Sequence, residues 1–348
     1  MASLQIGIDL GTTSILIHVK GKGIVLQEAS IAALDAVTGD VLALGNRVYQ
    51  MVGRNPDSLR VVHPMRDGVI SDFTVIHAMI AYYIKKICGN RLLKPSVMIC
   101  MPASVTGLER NTILELAIAA GAARVCLVEE PFAAALGAGL NIASLGGQMI
   151  VDIGGGTTDV AVITMGSIVL SRSGKSAGNK LNESIQRYLR RERHMIVGDL
   201  TAETIKKKVG FARLHSPELG IMVRGQNYIT RMPVCNEVTS TQAYLAMRET
   251  IGEMISVVRR VFEETPPEMA GDILDQGIVL TGGGSLLRDF DAVLHLETGL
   301  HVRVARDPIE CVARGMGLMM EHNSILEGNN YYYRTDDDIG EYARNRAL

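Results

Sequence analysis

Two stretches of the 348-residue chain carry residues whose types and spacing could do chemistry. Residues 6–13 read Ile-Gly-Ile-Asp-Leu-Gly-Thr-Thr, and residues 150–158 read Ile-Val-Asp-Ile-Gly-Gly-Gly-Thr-Thr. In each, an apolar run ends near an aspartate, Asp9 or Asp152. A glycine turn with two hydroxyls follows: Gly11, Thr12 and Thr13 in the first; Gly154, Gly155, Gly156, Thr157 and Thr158 in the second. Glycines let backbone N–H groups approach a polyphosphate without interference from Cβ, and the threonine hydroxyls add donors. Carboxylates at strand ends are placed to hold Mg²⁺ through its waters, because Mg²⁺ gives up its hydration shell reluctantly. A third element, Ile278-Val279-Leu280-Thr281-Gly282-Gly283-Gly284-Ser285, again sets a glycine turn after a buried strand, where backbone could lie close to an adenosine moiety. One such turn alone is an ordinary strand turn; three in this order point to a bound nucleotide.

These loops need strands behind them. Strands are predicted at Gln5–Leu10, Ser14–Val19, Val97–Met101, Val125–Val128, Met149–Ile153, Val160–Met165, Ile168–Ser171, Gly277–Thr281 and Val302–Ala305. Between them Val75, Ile76, Met79, Ile80, Tyr83 and Ile87 recur at helical spacing, and Met247, Ile251, Met254, Ile255, Val258, Val261 and Phe262 form a longer stripe that Pro266-Pro267 ends. Strands interspersed with helices indicate an α/β protein with mixed sheets. The near-repeat of the two hairpins suggests a duplicated lobe, with both loops facing a common cleft. The expected division is a first lobe over 1–140 with a small insert at about 30–70, a second lobe over 141–325 with an insert at about 180–250, and a peripheral tail over 326–348.

Composition narrows the function. Hydrophobic residues at 47% and charged residues at 21% are globular proportions. Lys+Arg 35 against Asp+Glu 37 leaves −2, so bulk attraction to nucleic acid is not expected. No Trp and 4% aromatics argue against a stacking platform for bases or sugars. Five scattered cysteines, with no C-x-x-C, suggest buried thiols in a reducing compartment. No basic n-region precedes the first strand, and the uncharged run from Pro131 to Val151 is too rich in Gly, Asn and Ser for a membrane span, so a cytoplasmic chain is expected.

With these residues in view, the sequence resembles the actin-like ATPase superfamily and, within it, the MreB family of bacterial actins. The resemblance runs from about residue 5 to residue 322. It takes in stretches without an evident phosphate role: Gly21 to Leu26, His63 to Phe73, and Val128-Glu129-Glu130-Pro131. It implies an actin-like fold, ATP/ADP and Mg²⁺ bound between two lobes, slow Mg²⁺-dependent hydrolysis, and self-assembly into filaments on the inner membrane. There, with membrane proteins of the cell-wall elongation machinery, the filaments would set rod shape. It implies Asp9 and Asp152 at the metal, and Gly11, Thr12, Thr13, Gly154, Gly155, Gly156, Thr157 and Thr158 at the phosphates. Gly282, Gly283, Gly284 and Ser285 fall at the adenosine, and Glu203 and Lys206 match positions contacting ribose and adenine. Glu130 is implied beside the γ-phosphate with Thr157 as second holder of the attacking water, whereas Glu129 reads as an acidic residue favoured by a helix N-terminus. Phosphoryl transfer needs in-line positioning and charge neutralisation more than strong base chemistry, so such a polar pair suffices.

Two departures stand out. Asn179, in Ala177-Gly178-Asn179, occupies a position where the family usually has Asp, and Asp159 stands where many relatives have Glu. The four residues before the first strand are too few for the amphipathic anchor helix of some relatives. The matching membrane loop is Gly89 to Pro95, in which Leu92 and Leu93 could insert while Arg91 and Lys94 face anionic headgroups. The alternatives from other classes are a small-molecule kinase of the same superfamily, with Asp159 as the only candidate base, and a chaperone-type ATPase, for which the roughly 26 residues after 322 leave no room for a peptide-binding domain.

Overall fold

The computed structural model describes residues 3–322, 324–325 and 331–338. Of the expected tail, residues 326–330 and 339–348 lie outside the described residues.

Two five-stranded mixed sheets are built to the same plan. In the first, strands run in the order 124–129, 96–101, 5–10, 14–19, 23–29. The first three are parallel, and the hairpin from 5–10 to 14–19 and on to 23–29 is antiparallel. In the second, the order 302–304, 278–281, 148–153, 158–164, 167–174 repeats that pattern of directions strand for strand. The strands at 5–10, 96–101, 148–153 and 158–164 are buried along nearly their whole length, as expected for sheets covered on both faces. The duplication legible in the loops therefore extends through both sheets. All nine predicted strands are present, within one or two residues at their ends except for 167–174, which runs three residues further.

Between the sheets lie two helices, Glu130–Gly137 and Cys311–Glu321, which touch backbone to backbone. A Cβ added to Gly137 would fall 1.8 Å from the Cys311 carbonyl oxygen, and one on Gly315 would fall 1.8 Å from that of Ala133. Glycine on each side is what permits this crossing. The helices share a core with both sheets, in which Leu16, Met98 and Cys126 meet Ile150, Ala161 and Ile163. The predicted helices appear as Phe73–Cys88, capped by the Asp72 side chain, and Ser240–Glu264, opened by a Thr239/Gln242 capping box. Three of the five cysteines are buried; Cys88 is half-buried and Cys235 is exposed, contrary to the expectation for all five.

Each lobe carries a smaller addition beside the cleft. The first holds a three-stranded sheet of 32–35, 41–44 and 59–62 with a short helix Asn46–Tyr49. The second holds 195–196, 220–227 and 233–239, packed with helices Gly178–Arg193 and Asp199–Val209. The part of the expected tail that is described, 331–338, is no loose appendage. It packs back on the first lobe, with Tyr331 and Tyr333 against the inter-sheet core.

Candidate functional site

A cleft of about 910 Å³ lies between the lobes, and all three glycine loops open into it. The two hairpin turns are closed in the same way: Gly11 N–H donates to the Ser14 carbonyl at 3.1 Å, and Gly154 N–H donates to that of Thr157 at 2.9 Å. Their tips face each other at close range. A Cβ on Gly155 would sit 1.6 Å from Thr13 Oγ1, and one on Gly156 would sit 2.5 Å from Thr12 Oγ1. The third loop follows strand 278–281, and Gly282, at φ +76°, brings its backbone against Ile153; a Cβ there would lie 2.3 Å from the Ile153 carbonyl oxygen.

The cleft floor is acidic. Asp9, Glu130 and Asp152 line it and are each less than a tenth exposed; Asp159 lies beneath it, 1% exposed. Burial, then the Asp152 charge, pushes Asp9 up to about 8. Burial raises Asp152 to about 6 against the pull of the Thr281 hydroxyl, which donates to its Oδ1 at 2.7 Å. Glu130 is pushed well up by burial and by the charges of Asp159, Asp9 and Asp152. Among the described residues, neither carboxylate oxygen of Asp159 has a hydrogen-bond partner at normal bonding distance. Burial raises it to about 7, although the nearby Thr157 and Ser173 hydroxyls draw it down. Such a cluster of buried acids fits a site completed by a cation. Among the described residues no three His, Cys, Asp or Glu are grouped to hold a metal directly, so Mg²⁺ here would be held mainly by phosphate oxygens and water, with Asp9 and Asp152 outside them.

The opposite wall is supplied by helix Gly178–Arg193, whose N-terminus abuts the second loop. Gly178 N–H donates to Gly154 and Asn179 N–H to Gly155, and no side chain caps the end. Its positive dipole end therefore faces the loop, a favourable place for phosphate. Asn179 lines the cleft and accepts a long hydrogen bond of 3.5 Å from Thr13 across it. Higher up, Lys206 lines the wall with its Nζ donating to the Gly178 carbonyl at 2.8 Å, and burial pulls its pKa down to about 8. Burial alone would raise the Glu203 carboxyl, but hydrogen bonds from Lys207 and Tyr49 outweigh it and hold it below its ordinary value. The Tyr49 contact crosses from the small addition of the first lobe and spans the mouth of the cleft.

Most residues singled out in the sequence line this one cavity: Asp9, Gly11, Thr12, Thr13, Glu130, Asp152, Gly154, Gly155, Gly156, Thr157, Glu203, Lys206, Gly282, Gly283 and Gly284. Two do not. Thr158 is fully buried in its strand with its hydroxyl donated to the Ser176 carbonyl, because strand alternation turns it away from Thr157. Ser285 is 2% exposed and its hydroxyl closes its own loop onto the Gly282 carbonyl at 2.6 Å. Both frame the loops instead of facing a ligand. The stretch His63–Phe73, read without a phosphate role, nevertheless reaches the cleft. Its turn Arg66-Asp67-Gly68 lines the cleft, and Gly68 N–H donates to Thr12 Oγ1 at 3.2 Å. The Asp-Gly pair between short strands is a turn signal that could have placed it as a loop. No local pattern marks Thr281 or Tyr49 as a partner of Asp152 or Glu203. Leu92 and Leu93 are not part of the cleft lining and lie 101% and 51% exposed beyond the end of helix Phe73–Cys88.

A family model described as MreB/Mbl protein matches residues 3–328. The cell shape-determining protein Mbl of Bacillus subtilis (strain 168) is 44% identical over 327 residues, covering 94% of this chain and 98% of that one. The cell shape-determining protein MreB of Escherichia coli (strain K12) is 43% identical over 327 residues, covering 92% and 94%. Among solved structures, MreB5 of Spiroplasma citri bound to ADP superposes with a TM-score of 0.89 at 34% identity, over 94% of this chain and 98% of that one.

Proposed function

The chain belongs to the MreB/Mbl family, and from that premise we propose that it is an actin-like filament protein that binds and slowly hydrolyses ATP with Mg²⁺, assembles on the inner face of the cell membrane, and directs cell-wall synthesis to set cell shape. The observation that carries this reading is the pair of mutually packed glycine loops, each following a buried aspartate, at the floor of one inter-lobe cleft. ADP in the MreB5 relative supports nucleotide as the ligand.

In this reading the remaining N–H groups of both loops cradle the phosphates, beside the positive end of helix Gly178–Arg193, while Glu203, Lys206 and the Gly282–Gly284 backbone receive the nucleoside. When bound, Mg²⁺ neutralises charge on the phosphate oxygens. Glu130, held at the first turn of its helix by Pro131 at the next position, and Thr157 orient the attacking water. Burial and the neighbouring acidic charges push Glu130 up, and the positive charge of Mg²⁺ would favour its ionised, hydrogen-bond-accepting form. The kinase alternative is not favoured. Asp159 is buried beneath the cleft and is not among the residues that line it, whereas a kinase base would have to lie within hydrogen-bond reach of the substrate hydroxyl.

Leu92 and Leu93 are the membrane contact in this reading, set between exposed Arg91 and Lys94. Among the described residues no helix is long and apolar enough to cross a membrane. Two inserted leucines bind weakly, so many subunits of a filament would act together. The test is electron microscopy on anionic liposomes with ATP and Mg²⁺, comparing wild type with Leu92→Ser/Leu93→Ser. The expected result is membrane-bound filaments from wild type and, from the double variant, filaments that form in solution but leave the membrane. Wild-type protein that stays monomeric across nucleotide, salt and lipid conditions would sink the filament reading.

A further inference from the structure

Residues 331–338 lie past residue 328, where the family match ends, yet they are built into the first lobe against Glu129, the residue before the proposed catalytic carboxylate. Strand Arg124–Glu129 is the edge of the first sheet, and it runs straight into Glu130 at the start of the inter-sheet helix. The strap pairs with that edge. Val125 N–H donates to the Arg334 carbonyl and Arg334 N–H to the Val125 carbonyl, each at 2.8 Å. The Arg124 guanidinium lies 4.7 Å over the Tyr333 ring, and the Tyr331 ring packs on Phe132 with centroids 5.4 Å apart. The Tyr331 hydroxyl donates to Glu129 Oε2, and Arg110 donates to the other oxygen at 2.9 Å.

The strap therefore grips residues on both sides of Glu130. Glu129 and Glu130 point in opposite directions. Glu129 lies on the outer seam with Arg110 and Tyr331, while Glu130 lies on the cleft floor. Glu129 closes the strand and stands as the N-cap of the helix without using its side chain as a cap. With that side chain tied at both oxygens, the peptide joining residues 129 and 130 has little freedom, and the Glu130 carboxyl inherits the constraint. Burial keeps the Tyr331 phenol protonated, so it remains a donor throughout the working range of pH.

We propose that Tyr331 is a positioning residue for ATP hydrolysis, acting through Glu129 to hold Glu130 in register with the attacking water. This rests on the ATPase reading above. Misplacing a catalytic group by a fraction of an ångström slows chemistry without changing how substrate binds.

The experiment compares full-length wild type with Tyr331→Phe, Glu129→Leu, Glu129→Gln and Tyr332→Phe, reading kcat, KM, ATP affinity and melting temperature. Tyr331→Phe keeps the ring on Phe132 and removes only the hydroxyl; it should lower kcat about fivefold while KM and affinity stay within about twofold. Glu129→Leu, which removes the acceptor from the other side, should do the same. Glu129→Gln keeps an acceptor oxygen and should recover most of the rate. Tyr332, 59% exposed, is the control and should leave kcat unchanged. Unaltered kcat in both Tyr331→Phe and Glu129→Leu overturns the inference alone. So does a parallel fall of kcat, affinity and melting temperature, which marks a merely structural role. A wild type that binds ATP without turning it over overturns the hydrolytic reading and this inference with it.

Discussion

The two hairpin loops descend from one plan and do different work. Both close on a glycine N–H bonded to the carbonyl three residues on, and both follow an aspartate buried at the cleft floor. The first loop carries side chains where the second has none. Thr12 and Thr13 project into the space that Gly155 and Gly156 leave open, so the loops fit as knob and socket. The aspartates diverge as well. Asp152 receives the Thr281 hydroxyl and sits at about 6, whereas Asp9 takes burial together with the Asp152 charge and rises to about 8. Repeated backbone has thus been made asymmetric by a few side chains. At the facing tips one loop supplies hydroxyls and the other bare backbone, with Thr157 adding a hydroxyl just after the second tip.

The sharpest way to break this fit is to fill the socket. Gly155→Ala places a methyl on Thr13 and should lower ATP affinity at least about a hundredfold, since the loops must part to accommodate it. A fluorescent ATP analogue would measure it, and the pair Gly155→Ala/Thr13→Gly should recover much of the loss. If Gly155→Ala binds normally, the loops do not close on nucleotide as they close here. A smaller effect should come from making the aspartates alike. Thr281→Val removes the donor to Asp152 and should weaken Mg²⁺-dependent ATP binding about tenfold, the scale of one hydrogen bond to a charged group, while metal-free binding changes little.

Smallest is the pH response. In folded, nucleotide-free protein Asp9 and Asp159, raised to about 8 and about 7, hold protons that the unfolded chain has already released above its ordinary carboxylate value of 3.8. The folded state therefore binds more protons, and stability falls as pH rises from about 4 towards 8. The melting temperature of nucleotide-free protein should drop by a few degrees between pH 6 and pH 8. Added Mg²⁺ and ATP should stabilise more at pH 8 than at pH 6, because the carboxylates near the metal must be ionised. A melting temperature that climbs with pH in the empty protein would show that the cluster is already neutralised some other way.

Much of the fold was legible from short-range pattern. Strands 5–10, 96–101, 148–153 and 278–281 are apolar runs ended by turn residues, and helix Ser240–Glu264 declares itself by its stripe and its double proline. The small sheets were harder to see. Residues 220–227 and 233–239 alternate exposed and half-buried positions, and neither run is apolar enough to stand out.

At the site, the chain alone determined which backbone can come near a phosphate and where carboxylates stand beside it. Glycine and aspartate at strand ends are local requirements, met within eight or nine consecutive residues. Only the tertiary structure decided which hydroxyls reach the cleft. Thr157 and Thr158 are adjacent and chemically alike, but the alternation of a strand sends one to the ligand side and the other to the Ser176 carbonyl. It also decided the partners that tune the site. Thr281 is 129 residues from Asp152, Tyr49 is 154 from Glu203, and Tyr331 is 202 from Glu129. Hydrogen bonds act over about 3 Å, so contacts across such separations exist only once the two sheets and the helices between them have packed, and no window of sequence contains them.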